Sequence, residues 1–308
     1  GGLGAYSPDE VGPVSIQEPN GVIDLLAEDE AEAVALAKAY LSYFQGPVSD
    51  WTAHDQRPLR HIVPENRRAV YDIRKVIETL ADVGSMLELR PRWATSMVTA
   101  LIRVEGRTVG VIANNCNSTS GGAIESVGAD KASRFMQLCD AFDIPLLSLI
   151  DTPGNMVGPE AEKTALIRHC ARMYVAGANL TTPVFNIVLR KAYGLGAIAM
   201  AAGSFDETFF SVAWPTGEFA GMGLEGQIKL GRRAELQAVE DIPARRALYD
   251  GWVADAYNWA RAVNAGTVFE VDDVIDPADS RKWLAMGLRA NPQPPRTGAK
   301  KRAWIDTW

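Results

Sequence analysis

Two short, unbroken apolar runs constrain this chain more than any other feature. Ile144 to Ile150 reads IPLLSLI, and Val184 to Leu189 reads VFNIVL. A strand that is apolar on both faces belongs inside a sheet covered on both sides. Such sheets are built from parallel strands joined by right-handed helical crossovers. The residues between the two runs fit a crossover helix. From Pro159 to about Gly177, Leu166, Cys170, Met173 and Tyr174 recur at helical spacing and read as inward-facing.

The rest of the chain extends this α/β pattern. Met97 to Val104 and Thr108 to Ala113 are β-branched apolar runs joined by Glu105-Gly106-Arg107, a hairpin signal. Leu87 to Leu89 reads as a short strand, and Tyr71 to Leu80 as a helix ended by Gly84. Ala132, Phe135, Met136 and Cys139 share one helical face, and another helix begins around Gly196. The C-terminal part reads as helical. Ala244 to Asn264 is a long amphipathic helix stopped by Ala265-Gly266, and Val268 to Val271 is a short strand. Asp276 as N-cap and Pro277 at the first position open a last helix.

At the other end, residues 1–20 are rich in Gly, Pro and Ser and read as an arm. Asp29 opens an acidic helix with Val34, Ala37, Leu41 and Phe44 on one side, stopped by Gly46-Pro47. A connector follows. We therefore expect residues 1–62 to be a linker and arm, and residues 63–308 to be the main domain. The start, Gly1-Gly2-Leu3-Gly4, has no methionine and no secretory pattern, so the chain is expected to be an excerpt of something longer.

Composition narrows the function. Lys+Arg is 31 and Asp+Glu is 38, a net charge of −7 with no long basic run, which excludes a general nucleic-acid binder. No run approaches the roughly 20 apolar residues of a membrane helix. Three cysteines (Cys116, Cys139 and Cys170) without framework spacing argue for reduced thiols and a cytoplasmic setting. No C-x-x-C occurs and His54, His61 and His169 are scattered, so no metal site is expected.

The most informative stretch is Arg190-Lys191-Ala192-Tyr193-Gly194-Leu195-Gly196-Ala197. It lies between a buried strand and a small-residue helix. A glycine-rich turn there exposes N–H groups that can hold a phosphate or a developing oxyanion. It equally fits a plain connecting turn. Gly194, Gly196 and Ala199 also satisfy G-x-G-x-x-A, but Ser211 to Pro215, where the next strand would end, lacks the acidic residue a dinucleotide site needs. Asp151-Thr152-Pro153-Gly154 ends a buried strand, where open α/β sheets place ligands. Asp151 there reads either as an acid/base group or as a turn cap. Ser118-Thr119-Ser120-Gly121-Gly122 and Gly221 to Gly226 are further pocket-lining candidates or plain loops. No Ser/His/Asp arrangement can be picked out. His169 reads as a core or surface residue, and Trp214, Trp252 and Trp259 as core or interface.

Taken in order, these segments resemble a known family. They are Val63-Pro64-Glu65, Tyr71-Asp72-Ile73-Arg74, Gly110 to Asn114, Asp130 to Phe135, Cys139 to Phe142, Asp151 to Gly154, Arg190 to Gly194, Ala213 to Thr216 and Met222 to Gly226. The family is the carboxyltransferase component of biotin-dependent acyl-CoA carboxylases. The resemblance covers about Val63 to Trp308, and it implies the C-terminal of two crotonase-like domains. It implies an α/β crotonase-like ββα superhelix, with acyl-CoA held mostly by an N-terminal carboxyltransferase domain of another subunit. It implies partners as well: that domain, a biotin carboxyl carrier domain and a biotin carboxylase, in a hexamer built as a trimer of dimers.

The implied reaction moves CO2 from carboxybiotin to the α-carbon of an acyl-CoA. Backbone N–H groups at Leu195 and Gly196 would stabilise the charge that builds on the ureido oxygen. The freed biotin nitrogen would take the α-proton, so no side-chain base is needed. Tyr193, Gly194, Ala197, Ile198 and Gly154 are the implied substrate and biotin contacts, and no metal is implied in this domain. Leu195 replaces a glycine of the propionyl-type pattern, so its N–H is in place only if φ there suits leucine. Ile198 stands where propionyl-type members carry Asp, which departs from a propionyl preference. The tail from Arg296 to Trp308 is similar to that of carboxylases with all components in one chain. Competing readings are a biotin-dependent decarboxylase half, a stand-alone crotonase-type thioester enzyme using Asp151, Glu218 or Glu225, and a non-catalytic assembly module.

Overall fold

The computed structural model describes Gly2, residues 4–294, Gly298 and residues 301–307. Arg296, Thr297, Lys300 and Trp308 of the tail motif lie outside the described residues. The helices run, in chain order, α1 Val14–Gln17, α2 Glu30–Ser42, α3 Leu59–Ile62, α4 Ile73–Leu80, α5 Ser126–Ala141, α6 Pro159–Lys163, α7 Leu166–Ala178, α8 Gly194–Met200, α9 Leu224–Gly231, α10 Arg233–Ala238, α11 Ile242–Trp259, α12 Ala262–Thr267 and α13 Ser280–Ala290. The strands are β1 Leu87–Leu89, β2 Met97–Val104, β3 Arg107–Asn114, β4 Leu146–Thr152, β5 Val184–Tyr193, β6 Phe210–Ala213, β7 Glu218–Ala220 and β8 Asp273–Val274.

The described strands form one sheet in the order β1-β2-β3-β4-β5-β6-β8, with β7 beside the end of β5. The hairpin β2–β3 is antiparallel, pairing Val104 with Arg107, and Gly106 at φ 75° makes its turn. From β3 onward every pairing is parallel. Two cores sandwich this sheet. On one face Phe135, Met136 and Cys139 of α5, Met173 of α7 and Met200 of α8 pack on Leu101, Ile112, Ile150 and Val188. On the other, Ile73, Val76, Ile77 and Leu80 of α4 and Leu284 and Leu288 of α13 pack on Val98, Ile102, Leu147 and Phe185. The α/β expectation therefore holds, with both faces covered as the apolar runs require.

Several boundaries differ, each for a local reason. β4 begins at Leu146 because Pro145 cannot donate to the ladder, and it runs on through Asp151 and Thr152. The expected helix from Pro159 to Gly177 is two helices, broken where Ala165 takes a left-handed φ of 56°. The expected helix from Ala244 to Asn264 starts earlier, at Ile242 with Asp241 as its cap, and ends at Trp259. Val268 to Val271 forms a turn, and the strand lies two residues on, at Asp273–Val274. The Gly-, Pro- and Ser-rich arm contains the short helix α1. Asp276 caps as expected, its carboxylate accepting from the Ala278 N–H, but a 3-10 turn of Pro277–Asp279 precedes α13. Trp214 is buried in the core, whereas Trp259 is exposed.

One buried charge makes stability depend on pH. Lys131 of α5 donates to the Arg90 and Trp93 carbonyls at 2.9 and 2.8 Å. Burial brings its pKa from 10.5 down to about 7, because a charge is costly away from water. Between those values the unfolded chain binds a proton that the native state releases, so native stability rises with pH. A neutral amine keeps donors enough for both carbonyls. We expect wild type to gain about 2 kcal/mol relative to Lys131→Met between pH 7 and pH 9 in paired urea titrations. A flat difference would contradict it.

Candidate active site

The site is built where β4 and β5 end. Strand β5 does not stop at Leu189. It continues through Arg190, Lys191, Ala192 and Tyr193, because Lys191 to Tyr193 gain a second neighbour in Glu218 to Ala220 of β7. The pairing of β4 with β5 slips between Ile150 and Thr152, so Ile150 opposes Val188 but Thr152 opposes Ala192. The expected glycine turn is absent: α8 follows β5 directly, with Tyr193 as its N-cap and Gly194 at φ 57° inside the helix. Only glycine adopts that φ at no steric cost. A Cβ on Gly194 would also lie 2.8 Å from the Gly221 carbonyl oxygen.

Gly196 faces Gly154 at the end of β4. A Cβ on Gly196 would sit 2.6 Å from the Gly154 carbonyl carbon and 2.9 Å from the Asn155 nitrogen. Two backbones thus touch where no side chain fits. Gly154 itself has φ 116°, and its N–H is held at 3.1 Å by the Thr152 hydroxyl.

Leu195 does not take a left-handed conformation, so leucine is accommodated where the related pattern has glycine, the residue being 66% exposed. The first N–H groups of a helix have no intrahelical acceptor, and the Tyr193 side chain does not cap them. The amides of Leu195 and Gly196 belong to this first turn, where the helix dipole favours negative charge. The Tyr174 hydroxyl on α7 donates to the Leu195 carbonyl. Beside α8 lies a cavity of about 600 Å3 lined by Ala192, Leu195, Ile198, Phe205, Phe219 and Trp259 among others. Ile198, half-buried, and Ala197, buried, both line its wall.

The three carboxylates that the sequence offered are all engaged, whereas Glu270, exposed, lines the cavity. Asp151 is not the turn cap; it is fully buried and pairs with the Arg190 guanidinium at 2.9 Å. It also accepts from the Tyr71 hydroxyl at 2.9 Å and the Lys191 N–H at 3.1 Å. The Arg190 partner was in plain view but reads as a turn residue in sequence. Glu218 accepts from the Tyr193 hydroxyl at 2.7 Å and pairs with Arg67 at 3.1 Å. Burial first, then this bond to Glu218, push the Tyr193 phenol well up, so it stays protonated. The Tyr193 side chain thus points into the protein, and only its backbone abuts α8. Glu225 pairs with Arg68 at 3.6 Å and holds the Tyr257 phenol, whose pKa is pushed up to about 12, chiefly by burial. None of the three is a free acid/base pair. His169 binds Asp130 at 2.8 Å, far in sequence from any of these groups. Glycines 194 and 196 lie within α8 rather than in a loop before it, and β6 carries no acid, so the dinucleotide pattern finds no support.

A largely parallel sheet covered by helices, and a helix start whose backbone contacts only glycine permits, leave room for a ligand to approach the peptide groups there. The family comparison is more specific. The carboxyl transferase domain model matches residues 5–305. The chain belongs to the carboxyl transferase domain family, whose solved members here share the crotonase-like fold. It is 38% identical over 281 residues to the methylmalonyl-CoA carboxyltransferase 12S subunit of Propionibacterium freudenreichii subsp. shermanii, covering 87% of this chain and 52% of that protein. It is similar to a single-chain, multi-domain long-chain acyl-CoA carboxylase of solved structure, at 53% identity and a TM-score of 0.86, over 92% of this chain and 28% of that one. It is also similar to a solved transcarboxylase 12S described as a hexamer, at 34% identity and a TM-score of 0.84, over 98% of this chain and 59% of that one. The chain thus spans about half the length of the curated relative. No helix among the described residues is long and apolar enough to cross a membrane.

Proposed function

We propose that this chain is the C-terminal half of a biotin-dependent acyl-CoA carboxyltransferase. The observation that supports the reading is the first turn of α8, which carries the Leu195 and Gly196 amides and whose Gly194 and Leu195 line the cavity. Carboxybiotin, on its carrier domain, supplies the CO2 that ends on the α-carbon of an acyl-CoA. The protein's part is electrostatic. The two N–H groups hold the ureido oxygen as negative charge grows on it, an arrangement in which one donor contributes about 2.7–4 kcal/mol in other enzymes. Gly194 and Gly154 keep side chains out of the approach, and Ala197 and Tyr193 back the turn from within. Ile198 gives the cavity an apolar wall, in keeping with the long-chain substrates of the 53%-identical neighbour. No side-chain base is assigned, in keeping with the engaged state of Asp151, Glu218 and Glu225.

In this reading residues 1–62 end the linker from a preceding domain, and residues 63–308 form the catalytic domain. Its partners are an N-terminal carboxyltransferase domain, a biotin carrier and a biotin carboxylase, assembled in the cytoplasm as a hexamer like the 12S neighbour. The test joins this chain to an N-terminal half and a biotinylated carrier and follows label from carboxybiotin into acetyl-, propionyl- and long-chain acyl-CoA. Label in any acyl-CoA, strongest in the long-chain one, is the expected result. No transfer from a folded, biotin-loaded assembly would overturn it.

A further inference from the structure

We propose that Tyr174 is a positioning residue for the Gly196 donor. The inference rests on the carboxyltransferase reading for its catalytic meaning, but its physical basis is separate. The carbonyl of Leu195 and the N–H of Gly196 belong to one peptide unit, which is planar and rigid. Whatever holds that carbonyl also fixes the direction of that N–H. The Tyr174 hydroxyl donates to the Leu195 carbonyl from α7, a neighbouring element. A carbonyl that accepts a hydrogen bond polarises its own peptide, and the N–H at the other end becomes a better donor.

The contact is built to last. α7 and the turn that follows α8 approach so closely that a Cβ on Gly177 would lie 2.3 Å from the Ala202 carbonyl oxygen. Met173, the residue before Tyr174, and Cys170, one turn earlier, are anchored in the core, which leaves Tyr174 little freedom to swing away. Tyr174 is half-buried, and burial raises its phenol to about 12, so it remains a donor across the working pH range. Tyr174 is not among the residues that line the cavity. Its action passes through the Leu195–Gly196 peptide.

Two readouts test this. The first needs no activity. The sequence contains three Leu–Gly peptides, Leu3-Gly4, Leu195-Gly196 and Leu230-Gly231. Carbonyl-labelled leucine with nitrogen-labelled glycine therefore isolates the Gly196 amide in the full 308-residue chain. Tyr174→Phe is expected to move that amide proton upfield and leave the other two in place. The second is kinetic, in the assembled carboxyltransferase. Tyr174→Phe is expected to lower kcat about tenfold with little change in acyl-CoA KM, because the lost effect acts on the transition state. A fluorinated tyrosine at position 174, a more acidic donor, is expected to restore or exceed the wild-type kcat. An unmoved Gly196 resonance in a folded Tyr174→Phe chain would overturn the proposal, as would an unchanged kcat. A shifted resonance with no transfer even in wild type would leave the positioning contact standing and sink the carboxyltransferase reading instead.

Discussion

Gly196→Ala should cut carboxyl transfer by a hundredfold or more. The new methyl would meet the Gly154 Cα at 2.7 Å, the Gly154 carbonyl carbon at 2.6 Å and the Asn155 nitrogen at 2.9 Å. All three are backbone atoms held by the end of β4, so no side chain can swing aside. The start of α8 must move, and with it both N–H donors. Misplacing one such donor costs on the order of 10²- to 10³-fold in rate. Overpacking of this kind also costs about 1–3 kcal/mol of stability. Saturating-substrate kinetics on the assembled enzyme, with a thermal melt to confirm folding, would decide it. A folded variant that keeps a tenth or more of the wild-type rate would show that these donors are not where the charge is held.

Asp151→Asn should destabilise the fold by about 3–5 kcal/mol, the usual cost of stripping one partner from a buried ion pair. The substitution keeps the shape of the side chain and removes its charge. Arg190, itself only 2% exposed, is then left buried without its counter-ion. The bonds from Tyr71 and from the Lys191 N–H weaken as well. Against a typical domain stability of about 5–15 kcal/mol, that is a large fraction. Urea unfolding would read it as a lower midpoint with an unchanged slope. A loss under about 1 kcal/mol would mean that Arg190 finds water in the variant. Adding Arg190→Met to Asp151→Asn should recover part of the loss, because the orphaned charge goes with it.

The same ion pair shows why part of this molecule could be read from its sequence and part could not. The hairpin of β2 and β3 and the parallel strands β4 and β5 announce themselves through apolar residues whose neighbours in the chain are also their reason for burial. Arg190 and Lys191 read as turn residues after the strand because they are charged. They continue it because Asp151, 39 and 40 residues away, receives them. The break at Ala165 carries no glycine or proline to mark it, since a left-handed alanine is imposed by packing rather than by local preference. The site itself was half legible. The glycines around Leu195 stood out, and Leu195 proves compatible with a helical turn. The contact of Gly154 with Gly196 joins residues 42 positions apart. Tyr174 reads as inward-facing from its helical spacing, but nothing in a single sequence indicates that its hydroxyl reaches the Leu195 carbonyl.

The placement of α13 has a consequence for how the chain reaches this state. The strands follow one another almost in order across the sheet, so most pairings form between near neighbours. The outer face of the hairpin is the exception. It is closed by α13, whose Leu288 carbonyl receives Arg107 across 181 residues. During synthesis α4 can cover that face only in part until α13 has left the ribosome. Ordering so distant a contact is entropically costly and slow. The part of that face that α4 leaves to Leu284 and Leu288 would stay open to wrong partners throughout that wait, so the vulnerable species in biogenesis is a nearly complete sheet lacking α13.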